Sequence, residues 1–99
     1  MSDPIIYIPS IYVAGSTAIE KTFEYINKNL KSYPYVFNYS GDILISVVFT
    51  VGLSTITKTF NYTLGKLTSI VLSGALPSGI QTTKTFNYTG ETLTSVSYL

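Results

Sequence analysis

The acidic side chains come nearest to a catalytic arrangement in this sequence. There are five of them, and Glu20 and Glu24 are spaced so that a helix would place both on one face. A pair of carboxylates is the minimum equipment for glycoside hydrolysis. The same pair lies among Lys21, Lys28 and Lys31, however, and such a mixture is typical of the solvated side of an amphipathic helix.

Histidine and cysteine are both missing from the sequence. Histidine general bases, serine or cysteine nucleophiles that depend on histidine, and the usual transition-metal sites are therefore excluded. The glycines are isolated, so no phosphate-binding loop indicates a nucleotide. We predict a protein that is not an enzyme and that uses no cofactor or metal.

Low charge is the main feature of the composition. Charged residues make up 11% of the 99 residues and hydrophobic residues 45%, whereas ordinary domains carry roughly 25% charged residues. Such a surface is covered by Ser, Thr, Asn and Tyr or is buried against other subunits, and we favour subunit contacts. With a net charge of only +1, the protein lacks the positive charge that would attract a phosphate backbone, so nucleic-acid binding is not expected.

A chain of this length supports one core, so residues 1–99 are predicted to form a single domain. The longest apolar stretch, residues 43–53, is interrupted by polar residues and is too short for a membrane helix. The N-terminus has no basic region of the kind that begins a signal peptide. We expect neither membrane insertion nor a secretory leader.

Three segments of the sequence repeat one pattern. They are residues 36–47, 59–70 and 85–96, which align without gaps at offsets of 23 and 26 residues. The shared pattern is F-N-Y-[ST]-x3-L-x-S-[VI]. Each copy alternates apolar and polar residues on either side of a tip that contains glycine, which is the pattern of a β-hairpin. Three hairpins predict six strands.

The repeat also predicts which side chains face each other. If the four residues after each tyrosine form the turn, Tyr39 faces Leu44 and Phe37 faces Ser46, with the same register in the other copies. The small serine would leave room for the phenylalanine ring. The aromatic residues of the repeats would then form the core of the sheet; they are Phe37, Phe60, Phe86, Tyr39, Tyr62 and Tyr88. The opposite face of the second and third hairpins is polar.

Residues 17–31 break the repeat and are predicted to form a helix. Thr17 and Glu20 fit a capping box. The apolar residues recur at helical spacing, and they are Ile19, Phe23, Ile26 and Leu30. A degenerate fourth hairpin is the alternative, because two residue pairs here share the spacing of the repeat, but its tip would lack glycine.

One strand of the first hairpin, residues 43–49, is apolar on both faces. Such a strand must be covered on both sides or must lie in an interface. We expect the helix to cover the second apolar face of this hairpin.

Residues 1–14 are apolar and are extended by two prolines, so we expect an edge strand or an arm that docks on a neighbour. Candidate interface residues lie in this arm and at aromatic positions outside the repeat registers; they are Ile5, Ile6, Tyr7, Ile8, Ile11, Tyr12, Tyr33, Tyr35 and Tyr98. Candidate recognition residues at the hairpin tips are Asp42, Lys66 and Glu91.

These elements predict an α+β fold that is mainly β. We expect an antiparallel meander of about six or seven strands, built from three repeated hairpins over residues 34–99, with one N-terminal helix packed on the sheet.

The unit K-T-F-N-Y followed by L-T-S-V or L-T-S-I is clearest at residues 84–96 and 58–70. It resembles β-hairpin units of tail-fibre, baseplate and other virion structural proteins of bacteriophages. It is also distantly similar to the YD repeats of bacterial toxin shells, although the aspartate of those repeats is missing here.

The phage resemblance implies a non-catalytic subunit of the virion, of the tail, fibre, adaptor or capsid-decoration type. Its partners would be other virion proteins and further copies of itself. The alternative is a carbohydrate-binding or adhesin module for a host-surface glycan, for which exposed tyrosines grouped on one face are the discriminating feature. A small enzyme or an inhibitor of a host protein is a third class.

Overall fold

The computed structural model describes residues 20–99 as a helix followed by a six-stranded sheet. Helix α1 spans Phe23–Leu30, and the strands are β1 Tyr35–Ser40, β2 Ile43–Val51, β3 Ser54–Thr63, β4 Lys66–Gly74, β5 Thr83–Thr89 and β6 Thr92–Tyr98. The strands lie in chain order and every neighbouring pair is antiparallel. This confirms the predicted mainly-β meander with an N-terminal helix. The predicted arm, residues 1–14, lies outside the described residues.

Four of the five strand connections are two-residue turns. In three of them a glycine with positive φ stands first, as a type II′ turn requires. The β3–β4 turn differs, because Leu64 and Gly65 both have positive φ, at 51° and 79°. This is the type I′ pattern, and leucine is an unfavourable residue for its first position because the side chain crowds the backbone there.

Each of the three hairpins contains a β-bulge at the same point of the repeat. The register shifts between Asn38 and Tyr39 in the first hairpin, and at the equivalent Asn and Tyr of the second and third. Tyr39 still lies opposite Leu44, as predicted, but Phe37 lies opposite Val47 and not Ser46. The predicted Phe–Ser pairing is therefore wrong by one residue, because the sequence pattern does not reveal the extra residue that the bulge inserts.

The bulge gives the repeated serine a different role. Ser46 lies opposite Asn38, and the asparagine amide donates to the serine hydroxyl at 3.2 Å. The equivalent bonds in the other copies are Asn61 to Ser69 at 3.0 Å and Asn87 to Ser95 at 3.2 Å. The conserved spacing of Asn and Ser within the repeats therefore makes one polar cross-strand pair per hairpin, on the face opposite the Phe and Tyr rings.

Helix α1 begins at Phe23, and the predicted start at residue 17 lies outside the described residues. Thr22 is its N-cap: its backbone is extended, and its side-chain oxygen accepts from Tyr25 N at 3.3 Å. Glu20 precedes this cap and is itself helical, whereas Thr17 lies outside the described residues, so the capping box stays a prediction. The segment is nevertheless helical, and the fourth-hairpin alternative is wrong.

The buried core lies where α1 crosses the sheet, and it consists of Phe23, Leu30, Val47, Phe49, Ile56 and Leu72. Val47 and Phe49 lie opposite Phe37 and Tyr35, so the helix packs on the face that carries the repeat aromatics. We call this the aromatic face and the other the back face. The expectation that the helix covers the second apolar face of the first hairpin is therefore wrong.

The predicted core of repeat aromatics is also wrong. All of them lie on the aromatic face, but none is fully buried, and Phe37 and Tyr39 are 50% and 58% exposed. Phe60 packs against the buried core, but the short helix leaves the rings nearer the hairpin tips uncovered. The buried residues come instead from the helix and from strands β2, β3 and β4.

Polar contacts also hold the helix to the end of the sheet formed by β5 and β6. Glu24 pairs with Lys84 and accepts a hydrogen bond from the Tyr98 hydroxyl at 2.8 Å. The hydrogen bond from Lys84 lowers the pKa of Glu24 below its usual 4.5, although burial opposes this, and the Glu24 carboxylate raises the pKa of Lys84 above its usual 10.5. Gln81 adds a side-chain acceptor for Phe23 N at 2.9 Å.

Replacing Leu64 with asparagine is expected to stabilise the protein by about 0.5–1 kcal/mol, because asparagine tolerates positive φ and Asn-Gly suits a type I′ turn. Leu64 is 95% exposed, so little apolar burial is lost. Urea denaturation measures the change. The matched control is Leu53→Asn, in a turn where the leucine has no positive φ. Equal changes in both variants would contradict the explanation by backbone strain.

Replacing Glu24 with glutamine is expected to lower the free energy of unfolding at pH 7 by about 0.5 kcal/mol, since the ion pair is partly exposed. The pKa of Glu24 is lowered, so its contribution is complete above pH 4.5 and is lost as the pH falls through the lowered pKa. The raised pKa of Lys84 means that the pair persists up to pH 10.5 and is lost as the pH rises further.

Urea denaturation at several pH values tests this. The difference between wild type and Glu24→Gln is expected to shrink at acid pH. The control is Glu91→Gln, whose carboxylate pairs with Lys66 but whose side chain is 89% exposed. A difference that does not change with pH would show that the ion pair contributes nothing.

Candidate functional site

Three of the predicted interface tyrosines lie within the described residues. Tyr35 lies on β1 and on the aromatic face, and its ring contacts Phe37 at a centroid distance of 5.2 Å. Tyr33 lies in the turn after α1. The Tyr98 hydroxyl donates to Glu24, and the Tyr98 ring contacts the Phe23 ring. Of the three, Tyr35 is therefore the most open to a partner. The remaining predicted interface residues, Ile5, Ile6, Tyr7, Ile8, Ile11 and Tyr12, lie outside the described part of the chain.

The hairpin-tip residues do not form one site. Lys66 and Glu91 pair with each other at 3.2 Å, and Lys66 also donates to Gly90 O at 3.0 Å. These contacts join the tips of the second and third hairpins. Asp42 lies at the tip of the first hairpin, and no ion pair joins it to the other tips within residues 20–99. Lys66 and Glu91 therefore hold neighbouring hairpins of the sheet together.

The two carboxylates singled out by the sequence do not share a helix. Glu20 lies before the N-cap Thr22, whereas Glu24 lies in the first turn of α1 and is held by Lys84. Within residues 20–99 no group of three His, Cys, Asp or Glu side chains is placed to hold a metal ion. In the same part of the chain, no helix has the length and apolarity needed to span a bilayer.

A concave pocket opens on the aromatic face beside the end of α1. Its volume is about 390 Å³, which is within the range of small-ligand sites. Its wall consists of Lys31, Tyr35, Phe37, Leu44, Val47, Phe49, Lys58 and Phe60. Aromatic rings and aliphatic side chains form most of this wall, and the two lysines supply positive charge.

Lys58 is the central polar group of this pocket. Its Nζ lies 5.9 Å from the ring centres of both Phe49 and Phe60, where ring faces attract a cation. Burial, followed by repulsion from the Lys31 ammonium, lowers the pKa of Lys58 below its usual 10.5. No carboxylate within residues 20–99 lies within ion-pair distance of Lys58. The negative charge of a bound anion would oppose the lowering of this pKa by burial and by the Lys31 ammonium.

Apolar side chains also lie open on the back face of the first hairpin. We call these residues the back patch; they are Val36, Ile43, Ile45 and Val48. Val36 and Ile43 are 63% and 53% exposed. The corresponding residues of the third hairpin are Thr85, Thr92 and Thr94, followed by Ser97, so the patch is confined to one edge of the sheet.

Tyrosine hydroxyls connect successive hairpins. Tyr62 of the second hairpin donates to the Leu44 carbonyl of the first at 2.9 Å, and Tyr88 of the third donates to the Leu67 carbonyl of the second at 2.8 Å. These are equivalent residues of the repeat. We call this contact the Tyr–Leu bond. This bond was not predicted from the sequence, although the Tyr and Leu that recur in all three copies were the available signal.

The pocket lysines were also missed, because Lys31 and Lys58 are far apart in the sequence and meet only where α1 crosses the sheet. Comparison with known proteins adds no functional assignment. No protein-family model matches the chain, and neither a curated protein nor a solved structure matches it.

Proposed function

We propose that this protein is a non-enzymatic structural subunit that assembles through contacts with other protein subunits, including copies of itself. The observation that carries the proposal is the back patch, where apolar side chains lie open on a face made otherwise mainly of Ser, Thr and Asn. In a chain with 11% charged residues, a contiguous apolar patch of this kind is typical of a protein–protein contact.

The strand that carries most of the patch supports this role. The inner face of β2 is buried against α1 through Val47 and Phe49, while its back face has no covering element among the described residues. A strand that is apolar on both faces is stable in water when both are covered. A second subunit would supply the missing cover.

Placement in a bacteriophage particle is the more specific part of the proposal, and its support is the resemblance of the repeat unit to hairpins of phage tail-fibre and baseplate proteins. The protein would be a tail, fibre, adaptor or capsid-decoration subunit that contacts other virion proteins. Recognition would take place through side-chain surfaces of the sheet, without catalysis or a cofactor.

Binding of a host-surface glycan is the second candidate function, and the pocket beside α1 favours it. Tyr35, Phe37 and Tyr39 lie exposed on one face and offer rings on which sugars stack. Lys31 and Lys58 add positive charge, so a saccharide that carries a carboxylate fits better than a neutral one. The aromatic face and the back patch are opposite surfaces, so the two functions are compatible.

Replacing Ile43 and Ile45 with threonine is expected to weaken self-assembly, because the contact through the back patch is lost, while leaving the fold intact. The third hairpin carries Thr92 and Thr94 at these positions, so the change reproduces a sequence that this sheet already accommodates. Light scattering after size exclusion measures the mass, and circular dichroism checks the fold. The matched control is Thr92→Ser with Thr94→Ser, which alters the polar equivalent of the patch. A wild-type chain that is monomeric at every concentration contradicts the proposal.

Replacing Lys58 with methionine is expected to weaken binding of an acidic saccharide by at least tenfold, because the apolar stem is kept and the charge is lost. A glycan array that contains sialylated and neutral oligosaccharides gives the binding profile. Lys28→Met, which removes a charge from α1 outside the pocket, serves as the control. Equal binding by Lys58→Met and wild type would exclude this pocket as the glycan site.

A further inference from the structure

The Tyr–Leu bond leaves one donor and one acceptor unused at the two ends of the sheet. Tyr39 is the tyrosine of the first hairpin, and Leu93 is the leucine of the last. Among the described residues, the Tyr39 hydroxyl has no acceptor and the Leu93 carbonyl receives no tyrosine hydroxyl, since the sheet ends at β1 and β6. The series of hairpins is therefore open at both ends with complementary groups.

The register between successive hairpins is the same at both junctions. Ser46 lies opposite Thr59, and Ser69 lies opposite Thr85, so the repeated serine always faces the residue before the next phenylalanine. The covalent connections differ, because the first is a two-residue turn and the second comprises residues 75–82. Since one register arises from two different connections, the strands themselves determine it.

On the outer edges of β1 and β6, the backbone N–H and C=O groups alternate so that the two edges could pair with each other. Thr50 N donates to Pro34 O at 2.9 Å, so Pro34 directs its backbone toward β2 and Tyr35 directs its N–H and C=O outward. The same alternation, followed along β6, directs the N–H and C=O of Val96 outward. Neither strand contains a charged residue or a proline, which are common protections of an exposed edge.

We propose that a second copy of this chain adds to the sheet by pairing its β1 with the β6 of the first copy. Ser95 of one copy then lies opposite Val36 of the next, in the register of the two internal junctions. The Tyr39 hydroxyl of the added copy donates to the Leu93 carbonyl and completes the Tyr–Leu bond. The contact joins unlike surfaces, so it builds rings or filaments rather than a closed pair.

This inference rests on the proposed assembly function and names the partner and the contact. It uses the edges of the sheet, whereas the back patch lies on a face. Nothing in residues 20–99 pairs with either edge. Other occupants of the same edges, including residues 4–13 of the chain itself, become outcomes of the test.

Disulfide cross-linking tests the register directly, because the wild-type chain has no cysteine. In the double variant Val36→Cys with Ser95→Cys, the two positions of one chain lie at opposite edges, roughly 24 Å apart. Between copies in the proposed register they are close enough for a disulfide. Mild oxidation is expected to give a ladder of dimers, trimers and longer species on a non-reducing gel.

The matched control is Val36→Cys with Thr92→Cys, in which the second cysteine lies on the same strand but about 10 Å away along it. It is expected to give no ladder. A ladder of equal yield in both variants overturns the proposed register. A wild-type chain that self-associates while the first variant gives no ladder overturns the edge pairing and leaves the assembly function standing, whereas a strictly monomeric wild type overturns both.

A second variant tests the hydrogen bond without cysteine. Tyr39→Phe is expected to weaken self-association roughly fivefold, the effect of one hydrogen bond, and to leave the melting temperature of the dilute chain unchanged. Tyr88→Phe, the control, removes a Tyr–Leu bond inside the sheet, so it is expected to lower the melting temperature. Sedimentation velocity gives the association constants. An unchanged constant for Tyr39→Phe would contradict the role of this hydroxyl between copies.

Discussion

The amount of sheet that one short helix can cover is the constraint on which the rest of this structure depends. Helix α1 has eight residues and is about 12 Å long, whereas six strands span roughly 24 Å. The helix therefore buries one end of the aromatic face, around Phe49 and Leu72, and leaves the rings nearer the hairpin tips half exposed. The pocket beside Lys58 lies at the boundary between the covered and the open part.

The β-bulge in each hairpin makes the sheet amphipathic. It adds one residue between the Leu and the Ser of the repeat, so that Leu44 and Val47 lie on one face while Ser46 pairs with Asn38 on the other. Without it, strict alternation would place Leu44 and Val47 on opposite faces. The same insertion occurs in all three copies, and it explains why the repeat requires both an Asn and a Ser.

The first hairpin departs from the other two in a way that bears on function. Its back face carries isoleucine and valine where the third hairpin carries threonine, and its outer strand β1 carries Tyr35 where the other copies carry Lys58 and Lys84. Internal lysines at this position extend over neighbouring rings. The first hairpin is thus the most apolar part of the sheet, and it lies at an edge, where a partner can reach it.

The sequence by itself determined the hairpins, their number and the face on which each repeat aromatic lies, because alternation, glycine at the tips and the threefold repeat are local signals. It also determined that a helix precedes the sheet. It did not determine the bulge, which depends on a hydrogen-bonding pattern between strands, or the face on which the helix packs. Tertiary structure alone brought Lys31 and Lys58 into one pocket and placed Tyr62 against Leu44, since these contacts join residues far apart in the chain, whose distances no local pattern encodes.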